Sequence, residues 1–66
     1  MFQLQKIREE RGLSRTQLSL KIGIHPATYG KVESGKWPAY PKYRRLLAAA
    51  LDVPEDELFQ EVQTND

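Results

Sequence analysis

Apolar residues recur at helical spacing in five stretches of this chain, each closed by a residue that a helix interior tolerates poorly. Leu4 and Ile7 set the first period, Arg11 continues the row and Gly12 offers a left-handed stop, which predicts a helix over 3–11. Ser14 stands where an N-cap belongs, with Gln17 three residues later as its capping-box partner. Leu18 and Ile22 then repeat at i, i+4, predicting a second helix over 15–22 that Gly23 closes. Pro26 suits the first turn of a third helix, where its missing N–H would have had no partner. Tyr29, Val32 and Glu33 follow on one side of it until Ser34-Gly35, so this helix is expected over 26–34.

Two prolines and a glycine make residues 35–41 a loop, in which Tyr40 is expected to cover the core and Trp37 either to cover it or to lie outside. Tyr43, Leu46, Leu47, Ala50 and Leu51 restore the helical period, and three consecutive alanines favour a helix over 42–51. After the break at Asp52-Val53-Pro54, the acids Glu55, Asp56 and Glu57 complement the positive end of a last helix, to which Leu58, Phe59 and Val62 give an apolar side. No β-alternation is visible. Residues 1–62 are expected to form one domain and 63–66 a frayed polar tail.

The 66 residues leave room for one small domain, about half the ~100–150 residues of a typical one. With no cysteine and one histidine, neither a disulfide framework nor a thiolate metal site can staple the core, and no cofactor, metal or small-molecule ligand is expected. The N-terminal residues lack the apolar run of a secretory signal and nothing approaches a membrane span, so the expected address is cytoplasmic, away from membranes. No phosphate-binding glycine loop or nucleophile-base pairing suggests an enzyme.

Charge is where composition becomes informative. Residues 1–45 carry ten bases against three acids, a net +7, whereas 46–66 carry six acids and no base, a net −6. Such asymmetry suits a face that meets a polyanion and another turned from it, although two ordinary solvated surfaces would look the same.

The joint between the second and third helices is the most specific feature. A steep crossing over a short turn needs a small residue where backbones approach, a glycine in the turn and apolar residues on the facing sides. Ser19, Gly23 and Leu18, Ile22, Ile24, Tyr29 and Val32 meet those needs. A generic helical hairpin shares part of this pattern. From Leu4 to Phe59, however, several blocks occur in order: Leu4-x-x-Ile7-Arg8-x-x-Arg11-Gly12-Leu13-Ser14, Gln17-Leu18-Ser19-x-Lys21-Ile22-Gly23-Ile24, Val32-Glu33-Ser34-Gly35-Lys36, and Ala48-x-Ala50-Leu51-x-Val53-Pro54-x-Asp56-Glu57-Leu58-Phe59. In these the chain resembles the lambda-repressor/Cro-type (XRE-like) helix-turn-helix DNA-binding domains. The resemblance implies an all-α, compact five-helix domain whose third helix enters the major groove of double-stranded DNA while the second lies across the backbone.

Carried over residue by residue, the resemblance implies base contacts from Pro26, Ala27, Thr28, Gly30 and Lys31, of which Lys31 alone comfortably reaches a guanine edge. It implies phosphate contacts from Arg15, which stands in place of the usual glutamine, and from Gln17, His25, Ser34, Lys36 and Trp37. His25 is also a helix cap by position, and Arg8 with Glu33 matches a structural ion pair between the first and third helices. Tyr29 replaces a customary isoleucine or valine, and its hydroxyl requires a partner or water. The sparse hydrogen-bonding chemistry of the outer face implies binding dominated by phosphates and shape. The expected function is sequence-preferring regulation of transcription, as a repressor, by a homodimer joined through Leu58, Phe59, Val62 or Leu20. The alternative is a protein-interaction module such as an antitoxin-like partner, with Leu20 and the acidic last helix as its contact surface.

Overall fold

Five helices follow one another in a computed structural model that describes residues 1–62: α1 (Gln3–Glu10), α2 (Arg15–Ile22), α3 (Pro26–Glu33), α4 (Pro41–Leu51) and α5 (Glu55–Leu58). The architecture is all-α, as expected, and the tail at 63–66 lies outside the described residues. α2 begins where its capping box places it. The Gln17 N–H donates to Ser14 Oγ at 3.0 Å, and the Ser14 N–H donates to Gln17 Oε1 at 2.8 Å. The turn into α3 depends on Gly23: its N–H donates to the Leu20 carbonyl, and its φ of +77° turns the chain so that the Ile24 N–H reaches that of Ser19.

Sequence and structure part at several places, the smallest being that α1 and α3 each end one residue earlier than expected, at Glu10 and Glu33. α4 starts at Pro41 rather than after it, because Pro41 fills the first helical turn and Tyr40, held extended ahead of a proline, serves as the N-cap residue. Tyr40 consequently stands 53% exposed with its ring 6.0 Å from that of Tyr43, and does not cover the core. α5 is a single turn, so Val62 lies beyond it. The Val62 N–H instead donates to the Met1 carbonyl at 2.8 Å and the Gln3 N–H to that of Gln60 at 2.9 Å, around an isolated antiparallel bridge between Phe2 and Glu61. Finally, Leu58 is fully buried, which removes it from the candidate dimer contacts. Phe59 is half-buried, edge-on to Phe2 and beneath the Arg44 guanidinium. Of the four residues expected to join two copies, Leu20 alone is largely exposed, at 68%.

Leu4, Ile7, Leu18, Ile22, Tyr29, Leu47, Leu51 and Leu58 form the core. α3 packs mainly on α2, while α5 packs on α1 and α4.

Beside this apolar centre sits a charge. Glu33, at the last turn of α3, is 1% exposed and accepts four hydrogen bonds. Arg8 of α1 donates from Nε to Oε1 at 2.7 Å and from a second nitrogen to Oε2 at 3.4 Å; the Tyr29 hydroxyl donates to Oε1 at 2.8 Å; Arg15 of α2 donates from Nε to Oε2 at 2.5 Å. Arg8 also donates to the Leu13 carbonyl at 2.6 Å, tying the α1–α2 turn to the same cluster. One carboxylate therefore fastens three helices, and its desolvation is offset by donors of which two are cationic. The hydrogen bond with Glu33 holds the Arg8 guanidinium above its ordinary pKa against the opposing effect of burial. Burial, reinforced by the nearby Glu33 charge, pushes the Tyr29 phenol far above its ordinary value.

Glu33→Gln should destabilise the domain by about 3–5 kcal/mol, since two arginines lose their counter-charge; urea denaturation measures it. Tyr29→Phe should cost about 1.5–3 kcal/mol at neutral pH, the range for a hydrogen bond to a charged group. The raised Tyr29 pKa also fixes a sign. Above pH ~10 the unfolded chain releases a phenolic proton that the folded chain retains, so this contribution is complete below that pH and declines as pH rises. A plot of stability against pH should fall less steeply above pH 10 in Tyr29→Phe than in the parent.

Candidate nucleic-acid interface

The inward side of α3 is fully assigned: Tyr29, Val32 and Glu33 are buried. Helical geometry then leaves the remaining residues for the outside. Ala27 and Lys31 are exposed and Gly30 is half-buried, so these three lie on the helix side that the core does not use, flanked by the half-buried Pro26 and Thr28. At the N-terminus, His25 Nδ1 accepts from the Ala27 N–H at 3.1 Å, and its imidazole caps the helix as its position suggested. With Nδ1 accepting, the outer nitrogen Nε2 is left to donate.

Gly30 carries information that its neighbours do not. Its φ is not in the left-handed region, and a Cβ placed on it meets nothing within 4 Å, so neither the backbone nor the domain's own packing requires glycine here. A glycine inside a helix costs about 0.5–1 kcal/mol relative to alanine. What it leaves is a shallow spot on the outer face beside Lys31.

Around this helix the structure distributes the expected phosphate contacts unevenly. Arg15 is 49% exposed in its side chain, yet its Nε is committed to Glu33, which makes it a shared cation rather than a freely solvated one. Gln17 has its carbonyl oxygen engaged by the Ser14 N–H, leaving the amide NH2 as its donor. Ser34, Lys36 and Trp37 lie just past the end of α3 and are exposed. There the chain turns back through Gly35, whose φ is +83°. Ser34 Oγ donates to the Lys31 carbonyl at 3.2 Å, and the Trp37 N–H donates to that same carbonyl at 3.2 Å. The turn sets the Trp37 indole against the Lys31 ammonium, 4.5 Å from nitrogen to ring centroid. Trp37 is 43% exposed and so lies outside the core.

Two of these pairings escape sequence reasoning. Arg15 and Glu33 sit eighteen positions apart on different helices, and Lys31 and Trp37 are joined by a turn whose geometry no period encodes. The aromatic residue soon after Gly35 is the only hint of the second. Among the described residues there is no group of three His, Cys, Asp or Glu that could hold a metal ion, and no helix is long and apolar enough to cross a membrane.

A family model described as helix-turn-helix matches residues 4–58, most of the chain and all five helices but the first residue of α1. Comparison with curated proteins returns no match.

Since nothing inside the domain requires the glycine of α3, Gly30→Ala should raise stability by about 0.5–1 kcal/mol, read as an upward shift of the urea midpoint. A lowered midpoint would show an internal demand for glycine at this position.

Proposed function

The chain belongs to the lambda-repressor/Cro-type (XRE-like) helix-turn-helix family of DNA-binding domains, and we propose that it binds duplex DNA with sequence preference by placing the outer face of α3 in the major groove. The observation that carries this reading is the combination on that face of Ala27 and Lys31 with Gly30, a glycine the fold itself does not need. A helix admitted to the groove approaches base edges closely, and a missing side chain allows closer approach there. Lys31 donates to a guanine edge, Ala27 meets a thymine methyl, and Pro26 and Thr28 border the same base pairs. Direct readout is sparse, so groove shape and phosphate contacts contribute most of the affinity.

The phosphate contacts proposed are Arg15 through the guanidinium nitrogens that Glu33 does not occupy, Gln17 through its amide NH2, His25 through Nε2, and Ser34 and Lys36 past the end of α3. Trp37 stands apart from this set: its ring face lies against the Lys31 ammonium, a contact that leaves the indole N–H unengaged. Arg8 and Arg15 share the single carboxylate of Glu33, so the cluster keeps a net positive charge, and Arg15 is its exposed member. Acting as a repressor, the domain would occupy an operator and exclude polymerase. Two copies on half-sites about 10–10.5 base pairs apart, or a multiple of that, would supply the contact area one small domain lacks. Leu20, exposed on α2, remains the candidate for contact between copies.

Selection of bound sites from random duplexes at physiological salt tests this directly, by yielding a preferred sequence and its half-site spacing together. On a selected site, Lys31→Ala should lose about 1–3 kcal/mol of discrimination at one base pair. Arg15→Ala should weaken binding to all sequences and lower the salt slope by about one. Recovery of no preferred sequence, or wild-type binding by both variants, would overturn the placement of α3.

A further inference from the structure

We infer that Trp37 is a specificity-determining residue that never needs to touch a base: it positions Lys31 for readout, a role that rests on α3 entering the groove as proposed above. A lysine is a poor reader of sequence when left to itself. Its ammonium sits on four rotatable methylene carbons, can donate in any direction, and loses that freedom when fixed against a base edge. Here the freedom is already restricted. The indole face holds the ammonium at 4.5 Å, within the range in which the ring's negative face attracts a cation.

The indole is itself held by the backbone. The Trp37 N–H donates to the carbonyl of Lys31, the very residue whose side chain the ring receives, and the Gly35 turn at φ +83° brings the chain back to make that bond. Ser34 Oγ reaches the same carbonyl. Backbone and side chain of residue 37 thus address backbone and side chain of residue 31, which fixes the lysine's direction relative to the axis of α3. Among the described residues Trp37 is 43% exposed and takes no part in the core. A tryptophan that merely stabilised the domain would be expected among those apolar residues.

The alternative is that the indole edge contacts a phosphate, and the two roles differ in what they change. A positioning residue alters preference at the base pair that Lys31 reads and leaves the electrostatic part of binding alone. A phosphate contact alters affinity for every sequence.

The test compares the parent chain with Trp37→Ala, Trp37→Phe, Lys31→Ala and the Lys31→Ala/Trp37→Ala double variant. The probes are a duplex recovered by the parent from a random pool, its single-base-pair variants and an unrelated duplex. In the free domain, nuclear magnetic resonance should show the Lys31 side-chain methylene protons next to the ammonium shifted upfield by the indole ring current, and Trp37→Ala should abolish that shift while the remaining amide spectrum stays folded. Trp37→Ala should reduce discrimination at the base pair assigned to Lys31 by about two- to five-fold, the size of an exposed cation–π contact. Affinity for the unrelated duplex and the salt slope should not change. Trp37→Phe should restore part of the discrimination, and the double variant should be no worse than Lys31→Ala. A uniform loss across all duplexes, the unrelated one included, at an unchanged salt slope would overturn the positioning role in favour of a phosphate contact by the uncharged indole. If Trp37→Ala leaves discrimination intact while Lys31→Ala removes it, the positioning role alone falls. If Lys31→Ala itself changes no preference, the groove placement of Lys31 falls, and the role of Trp37 with it.

Discussion

The carboxylate of Glu33 is the constraint around which this small domain is organised. An ionised acid with 1% exposure would be strongly destabilising without partners, and it is met by Arg8, Arg15 and the Tyr29 hydroxyl. Because the donors come from α1, α2 and α3, the carboxylate is satisfied only when all three helices are in one mutual arrangement. Apolar side chains alone tolerate several packings of similar volume. A fourfold hydrogen-bonded acid tolerates far fewer, which matters in a chain with no disulfide to restrict the alternatives.

The same cluster dictates what faces outward. With Tyr29, Val32 and Glu33 locked on the inner side of α3, the helical repeat presents Ala27, Gly30 and Lys31 on the other. Tyr29 fits this logic in place of the smaller aliphatic residue that the family resemblance suggests. Its ring fills the joint between α2 and α3 and its hydroxyl finds Glu33 four residues along the same helix, so the extra polar atom is used rather than tolerated. Arg15 links the interior to the surface, since one side of its guanidinium completes the shell of Glu33 and the other remains with solvent.

Much of this was legible in the residues because the relevant interactions are local. The Ser14–Gln17 capping box, the left-handed Gly23 and the histidine cap ahead of Pro26 each involve residues within a few positions of one another, where backbone geometry leaves little choice. The pairing of Arg8 with Glu33 followed from family resemblance rather than from spacing, and the structure brings the two together at 2.7 Å. Tyr40 departs from the expectation because an aromatic residue near a core is ordinarily drawn into it, whereas its position directly before Pro41 holds it extended at the N-cap position of α4, where its side chain makes no hydrogen bond to the helix. Val62 was misread because apolar spacing continued past the point where α5 ends, and the chain instead pairs its backbone with the N-terminus.

The sequence by itself determined the number and order of the helices, the caps of α2 and α3 and most of the apolar residues that form the core, since these depend on residue spacing and on backbone preferences that act within one or two turns. It also carried the strong division of charge between the first 45 residues and the rest. Only the tertiary structure decided which cations share Glu33, where the Trp37 indole rests and which of the C-terminal apolar residues stay accessible. Each of those depends on the distance between groups far apart in the chain, and that distance is set by how the helices pack rather than by anything their own segments contain.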